Sequence, residues 1–272
     1  YGGGGNDRVD YSAERWFGEP NAEIGVTVDL GSVDGDGHYI GTATDSLGGT
    51  DTLVDISRVT GTDFNDVITG NDLENRLRGR NGADSILGDG GRDELSGDGG
   101  NDTLDGGSGN DNLEGGSGND SLIGGSGNDD LDGGYGNDSI NGGSGRDQIR
   151  TGAGEDTVNG GSGYDVIRFD NYDVGDTNHE STGVTVTMTA GIGSGTISGI
   201  FGEDEEDYGY PQSVDATFQN IERIIGSHGA DSFIATEGDF EGTSESDGTF
   251  GDAARRNERS ISFTGGRGAD SF

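Results

Sequence analysis

"GGSGNDSLIGGSGNDDLD", residues 115–132, is one nine-residue phrase written twice. It holds six glycines and four aspartates but only three aliphatic side chains, Leu122, Ile123 and Leu131. One dependable apolar residue in nine matches neither the 3.6-residue stripe of a helix nor the two-residue alternation of a long strand. It suits a very short strand of pattern x-U-x between six-residue turns, with glycine where the backbone needs positive φ or passes close to a neighbour.

Outward from this stretch, twelve nonapeptides run from Gly61 to Arg168 without insertion or deletion. Their eighth position reads Ile68, Leu77, Ile86, Leu95, Leu104, Leu113, Leu122, Leu131, Ile140, Ile149, Val158 and Ile167. Their sixth reads Asp66, Asn75, Asp84, Asp93, Asp102, Asp111, Asp120, Asp129, Asp138, Asp147, Asp156 and Asp165. If each turn reverses the chain, two nonapeptides close one 18-residue coil, and the eighth-position side chains of its two walls meet inside. Coils stacked by parallel strand pairing lie about 4.8 Å apart.

Such stacking sets Asp84 against Asp102 on one edge and Asp93 against Asp111 on the other. Carboxylates about 5 Å apart repel by roughly 3 kcal/mol at an effective dielectric of 20, so a divalent cation between rungs is expected. A site of carboxylates and turn carbonyls suits calcium, which accepts 6 to 8 oxygens in loose geometry, better than magnesium. Zinc has no thiolate here, since cysteine is absent, and His38, His179 and His228 are scattered.

These residues resemble the calcium-binding nonapeptide repeat of RTX proteins, G-G-x-G-x-D-x-U-x, almost letter for letter over 106–150: "GGSGNDNLE", "GGSGNDSLI", "GGSGNDDLD", "GGYGNDSIN", "GGSGRDQIR". The resemblance implies an all-β fold, a right-handed parallel β-roll (β-solenoid) of 18-residue coils. It also implies calcium held between turns by the sixth-position aspartates and by turn carbonyls. The expected ligands are Asp66, Asp84, Asp93, Asp102, Asp111, Asp120, Asp129, Asp138, Asp147, Asp156 and Asp165, with Asp7, Asp231 and Asp270 in flanking partial repeats. The backbone of Gly97, Gly99, Gly106, Gly109, Gly115, Gly118, Gly124, Gly127, Gly133, Gly136, Gly142 and Gly145 joins them, for about eight or more ions. By the same resemblance the chain is secreted by a Gram-negative type I route and folds in calcium-rich extracellular medium. Asn75 in place of Asp, and Arg80, Arg92 and Glu155 in turn positions, depart from the pattern, so the N-terminal sites, Asp66 among them, are expected to be weaker.

Composition agrees with a scaffold held by cations. Of 272 residues, 59 are glycine and 27% are hydrophobic, and the net charge is −38. All 15 cationic residues are arginine, and a field this negative disfavours nucleic acid and anionic membranes. No apolar run approaches the roughly 18 residues of a membrane span, and no signal peptide pattern is present. The chain reads as a piece of a longer protein, whose remainder is one of its expected partners.

The flanks carry a longer duplication. "GVTVDL" (25–30) precedes "TLVDISRVTGTDFNDVI" (52–68), and "GVTVTM" (183–188) precedes "TFQNIERIIGSHGADSF" (217–233). We read the order as 1–18, the end of a preceding roll; 19–60, a β insert or cap; 61–168, the main roll; 169–225, a second β insert; and 226–272, the start of a further roll. The acidic run "GEDEEDYGYPQ" (202–212) reads as a solvated loop, "AARRNERS" (253–260) as a surface segment, and Trp16 as packing over an open end.

No Gly-x-Ser-x-Gly elbow and no His-Glu-x-x-His occurs, and no enzyme is expected within the segment. The expected function is a calcium-binding module that folds on extracellular calcium and serves secretion, folding and spacing of a larger exoprotein. The alternatives are a calcium-dependent recognition module for polysaccharide or a cell surface, and part of a polysaccharide- or peptide-cleaving enzyme.

Overall fold

The computed structural model describes residues 7–12, 25–45, 48–168, 184–188, 194–201, 212–221, 223–225, 232–234 and 262–264. Asp231, Asp270, Trp16, the acidic run except Gln212, and the segment 253–260 lie outside the described residues. Within them the protein is all-β, with no helix.

Two parallel sheets form the walls of a solenoid. One runs through Glu94–Gly99, Asn112–Ser117, Asp130–Tyr135 and Gln148–Arg150, the other through Ser85–Gly91, Thr103–Gly109, Ser121–Gly127 and Ser139–Gly145. Each strand pairs with the one 18 residues away, as in Leu104 with Leu122 and Leu113 with Leu131. The eighth-position side chains fill the space between the walls. Leu104, Leu113, Leu122 and Leu131 are fully buried in one core cluster, which continues through all twelve repeats.

The strands are longer than the three residues expected. Thr103–Gly109 and Ser121–Gly127 span seven, because the first four residues of the following nonapeptide stay in register, Gly107 with Gly125 and Ser108 with Ser126. Glycine lowers the cost of this continuation. At the second position φ is +91° at Gly107 and +103° at Gly125, a region that costs a residue with a Cβ. In the earlier coils Arg80, Asp89 and Asp98 occupy the same position with φ of 94°, 78° and 70°.

The inserts grow from the same walls. Thr27–Val33 stacks parallel on Val67–Asn71 through Val28 and Ile68, then turns back through Tyr39–Thr44 and Thr50–Val54 as an antiparallel extension. The second insert repeats this order. Val184–Met188 pairs parallel with Ser232–Ile234 and antiparallel with Gly195–Phe201, which pairs in turn with Gln212–Gln219. The duplication read from sequence is thus reproduced pairing by pairing. Gln212–Gln219 also continues the main roll, parallel to Gly154–Gly163 with Phe218 beside Val158. At the other end Asp7–Asp10 pairs with Ile56–Thr60, bringing Val9 beside Val59.

Candidate metal centre

Each turn brings its sixth-position residue to an edge of the solenoid and buries it. Asp84, Asp93, Asp102, Asp111, Asp120, Asp129, Asp138, Asp147, Asp156 and Asp165 are all at most 3% exposed. They form two columns by the expected 18-residue offset. On one edge the backbone N–H groups of Asp84, Asp102, Asp120 and Asp138 donate to Oδ1 of Asp102, Asp120, Asp138 and Asp156 at 2.7–2.9 Å. On the other, Asp93, Asp111, Asp129 and Asp147 donate to Asp111, Asp129, Asp147 and Asp165 at 2.8–3.0 Å.

This uses one oxygen of each carboxylate. The second, Oδ2, is buried and without a hydrogen-bond partner in Asp84, Asp93, Asp102, Asp111, Asp120, Asp129, Asp138 and Asp147. A buried charged oxygen left unpaired is expensive, so a repeated set of eight points to a ligand. The first-position glycines frame these oxygens. A Cβ on Gly115 would fall 2.5 Å from Asp120 Oδ2 and 2.6 Å from the Gly133 carbonyl oxygen, and one on Gly124 would fall 2.6 Å from Asp129 Oδ2 and 2.5 Å from the Gly142 oxygen. Carboxylate and carbonyl oxygens therefore converge on the same confined space, open because no side chain fills it. Hard oxygen donors of this kind fit calcium. The described residues bring no three His, Cys, Asp or Glu side chains together, so a cation held here would need backbone carbonyls beside the aspartates.

Burial disfavours the charged form and raises the pKa of these carboxyls. Desolvation pushes Asp84 and Asp93 up to about 7, and Asp102, Asp129 and Asp138 up to about 6; neighbouring carboxylates on the column add to it. Asp111, Asp120 and Asp147 are raised for the same first reason. A carboxyl whose pKa rises on folding holds its proton more tightly in the folded chain. Between pH about 4 and about 7 the folded state then binds more protons than the unfolded one, and stability falls as pH rises through that window. In excess chelator, circular dichroism should show more β-structure at pH 4.5 than at pH 7.5. Equal or weaker β-signal at pH 4.5 would contradict the buried columns.

Asp66 differs from the rest. Its Oδ1 accepts from Val26 N–H at 2.7 Å and from the Thr62 hydroxyl at 2.8 Å, and its Oδ2 accepts from Thr62 N–H at 2.7 Å. Both oxygens are engaged by the protein itself. Asn75 is likewise satisfied: its Oδ1 accepts from Asn71 N–H at 2.7 Å, and its Nδ2 donates to Asn71 Oδ1 at 3.2 Å. Asp7 has a buried Oδ2 without a partner, like the aspartates of the main columns. The carbonyl of Gly99 accepts from Gly82 N–H at 2.8 Å. His38 lies with Nδ1 2.7 Å from Asp55 Oδ2 on the first insert, away from the columns.

One contributor escaped the sequence reading. Fifth-position asparagines form an outer rail in which Asn119, Asn128 and Asn137 N–H groups donate to Oδ1 of Asn101, Asn110 and Asn119 at 2.7–2.8 Å. The rail runs opposite to the aspartate ladder and fixes each turn from both sides. Its signal was present as the Asn that recurs directly before Asp at 101, 110, 119, 128 and 137.

A parallel β-solenoid whose two edges bury columns of carboxylates backed by turn carbonyls is a cation-binding β-roll. Residues 69–167 match the family model of the RTX calcium-binding nonapeptide repeat in four copies, at 69–104, 96–131, 105–140 and 132–167. RTX repeats bind calcium and occur in secreted bacterial proteins, and their β-roll is a structural calcium-binding domain rather than a catalytic fold. No curated protein matches the chain.

Proposed function

We propose that the chain is a calcium-triggered folding and spacing module of a larger exoprotein, unfolded during secretion and set into a roll outside the cell. The observation that carries this reading is the set of eight buried, unpartnered Oδ2 atoms in two columns. Where calcium is scarce those oxygens repel one another and oppose folding; where it is plentiful they hold the coils together. The ions sit on Asp84, Asp93, Asp102, Asp111, Asp120, Asp129, Asp138, Asp147, Asp156 and Asp165, about eight or more in all. Asp7 serves a preceding roll, and Asp231 and Asp270 a following one. The division at 1–18, 19–60, 61–168, 169–225 and 226–272 gives the parent protein a rod interrupted by β inserts.

Isothermal titration with calcium and with magnesium tests the assignment. The expected result is uptake of about eight calcium ions, with magnesium failing to compete at equal concentration. Uptake of one or two ions, or equal competition by magnesium, would defeat the ladder reading.

A further inference from the structure

The carboxylate column of the second edge is interrupted near the N-terminal end, between Asp93 and Asp7, and its chemistry changes there. Counting back from Asp111 and Asp93, the sixth positions become Asn75 and then Ser57, which pairs one coil lower through the register of Val59 with Leu77. Both are buried and neutral, at 1% and 8% exposure. Around them stand Arg58 and Arg76, side by side on neighbouring strands, and Arg92 in a turn, three of the 15 arginines of a chain with net charge −38. A cavity of about 270 Å³ opens at this place, lined by Ser57, Arg58, Glu74, Asn75, Arg92 and Asn112 and, from the carboxylate column, by Asp93. The Arg76–Glu94 ion pair, 2.9 Å long, forms part of its wall.

Two observations ask for a ligand. Arg58 and Arg92 are exposed and make no ion pair, although Arg8, Arg76, Arg78, Arg80 and Arg150 each find a carboxylate. The Ser57 hydroxyl, buried and on the cavity wall, has no hydrogen-bond partner. Guanidinium groups match a carboxylate as paired donors. Ser57, Asn75, Asn112 and Glu74 offer donors and acceptors for hydroxyl groups, and Glu74 repels a second negative charge.

We infer that this cleft binds a hydroxylated monocarboxylate of the sugar-acid class, its carboxylate held by Arg58 and Arg92 and its hydroxyls by Ser57, Glu74 and Asn112. The turn scaffold that captures a cation farther along the edge has here been turned to an anion by exchanging aspartate for Asn75 and Ser57 and by adding arginine beside them. The cleft abuts the last carboxylate of the calcium column, Asp93, which forms part of its wall, so binding is tested with the column filled.

The test uses the whole calcium-saturated chain, with galacturonate, galactose and inorganic phosphate as probes in isothermal titration, heats of mixing with calcium buffer being subtracted. Galacturonate should bind saturably and galactose should not. Arg58→Gln with Arg92→Gln should weaken galacturonate at least tenfold, while Arg78→Gln, whose guanidinium is paired with Asp98, should leave it unchanged. Asn75→Asp, which adds a carboxylate beside Glu74 and Asp93 in the cleft, should also weaken it. A galacturonate trimer that binds more tightly than the monomer assigns the source to a polymer, and equal binding assigns it to the free acid. No galacturonate binding, phosphate binding as tight as galacturonate, or a double variant that binds like the parent overturns the inference. Circular dichroism on every sample keeps the two readings apart: a chain that stays unfolded in calcium defeats the calcium function, and a folded chain blind to galacturonate defeats only the cleft.

Discussion

In excess chelator at neutral pH, the circular dichroism of this chain should be that of a disordered polypeptide, and added calcium should convert it to β-structure over a narrow concentration range. The core explains why the metal-free state fails. Each 18-residue coil of the main roll buries two aliphatic side chains, as with Leu122 and Leu131, and each contributes about 1.5 to 3 kcal/mol. Ordering so glycine-rich a backbone costs roughly 1 kcal/mol or more for every residue. At pH 7 the columns oppose folding further, since neighbouring carboxylates about 5 Å apart repel by roughly 3 kcal/mol per rung at an effective dielectric of 20. Calcium reverses that sign at each rung. Each site filled at a hundredfold above its dissociation constant contributes roughly 2.7 kcal/mol. An ion held between the aspartates of successive coils would order both turns at once, so filling one site should favour the next and the transition should be steep. A β-rich spectrum at pH 7.5 in excess chelator, unchanged by calcium, would refute this account.

The second large effect concerns a glycine rather than a ligand. Gly127→Ala should abolish or greatly weaken calcium-induced folding, whereas Gly90→Ala should be nearly neutral. At Gly127 φ is +138°, and an added Cβ would overlap the backbone carbonyl oxygen of Gly109 in the coil below. The strain of a residue with a Cβ in that region alone costs about 1 to 2 kcal/mol. The overlap cannot be relieved by a side-chain rotation, because both partners are backbone, so the coils must part. At Gly90 the φ is ordinary, and the nearest atom to an added Cβ is the Asp72 side-chain oxygen at 3.2 Å, which can move. The midpoint of calcium-induced folding measures both. If Gly127→Ala folds at the calcium concentration of the parent chain, the glycines are not what lets the coils approach.

These two expectations show what was legible early. The eighth-position aliphatics fixed the walls and the 18-residue coil, and they occupy the core as expected, from Ile68 to Ile167. The sixth-position aspartates were legible because like charges at a strict period must meet when coils stack. The matching strands at 25–30 and 183–188 announced that the inserts have one plan, which the register bears out at Val28 with Ile68 and Val186 with Phe233. Strand length was not legible. Pairing continues across Gly106 to Gly109 through backbone groups alone, and no side-chain pattern records it.

By itself, then, the sequence determined the coil, its core and the two columns, because a nine-residue period with one apolar and one acidic position has few ways to stack. Tertiary structure decided how each carboxylate is used. Equivalent letters proved unequal once neighbours were in place: Asp66 gives both oxygens to Thr62 and Val26, while Asp84 keeps one buried and unpartnered. It also joined Arg58 to Arg92 across coils to line one cleft. These distinctions depend on which backbone N–H reaches which oxygen and which coils stack, and those are properties of the folded arrangement.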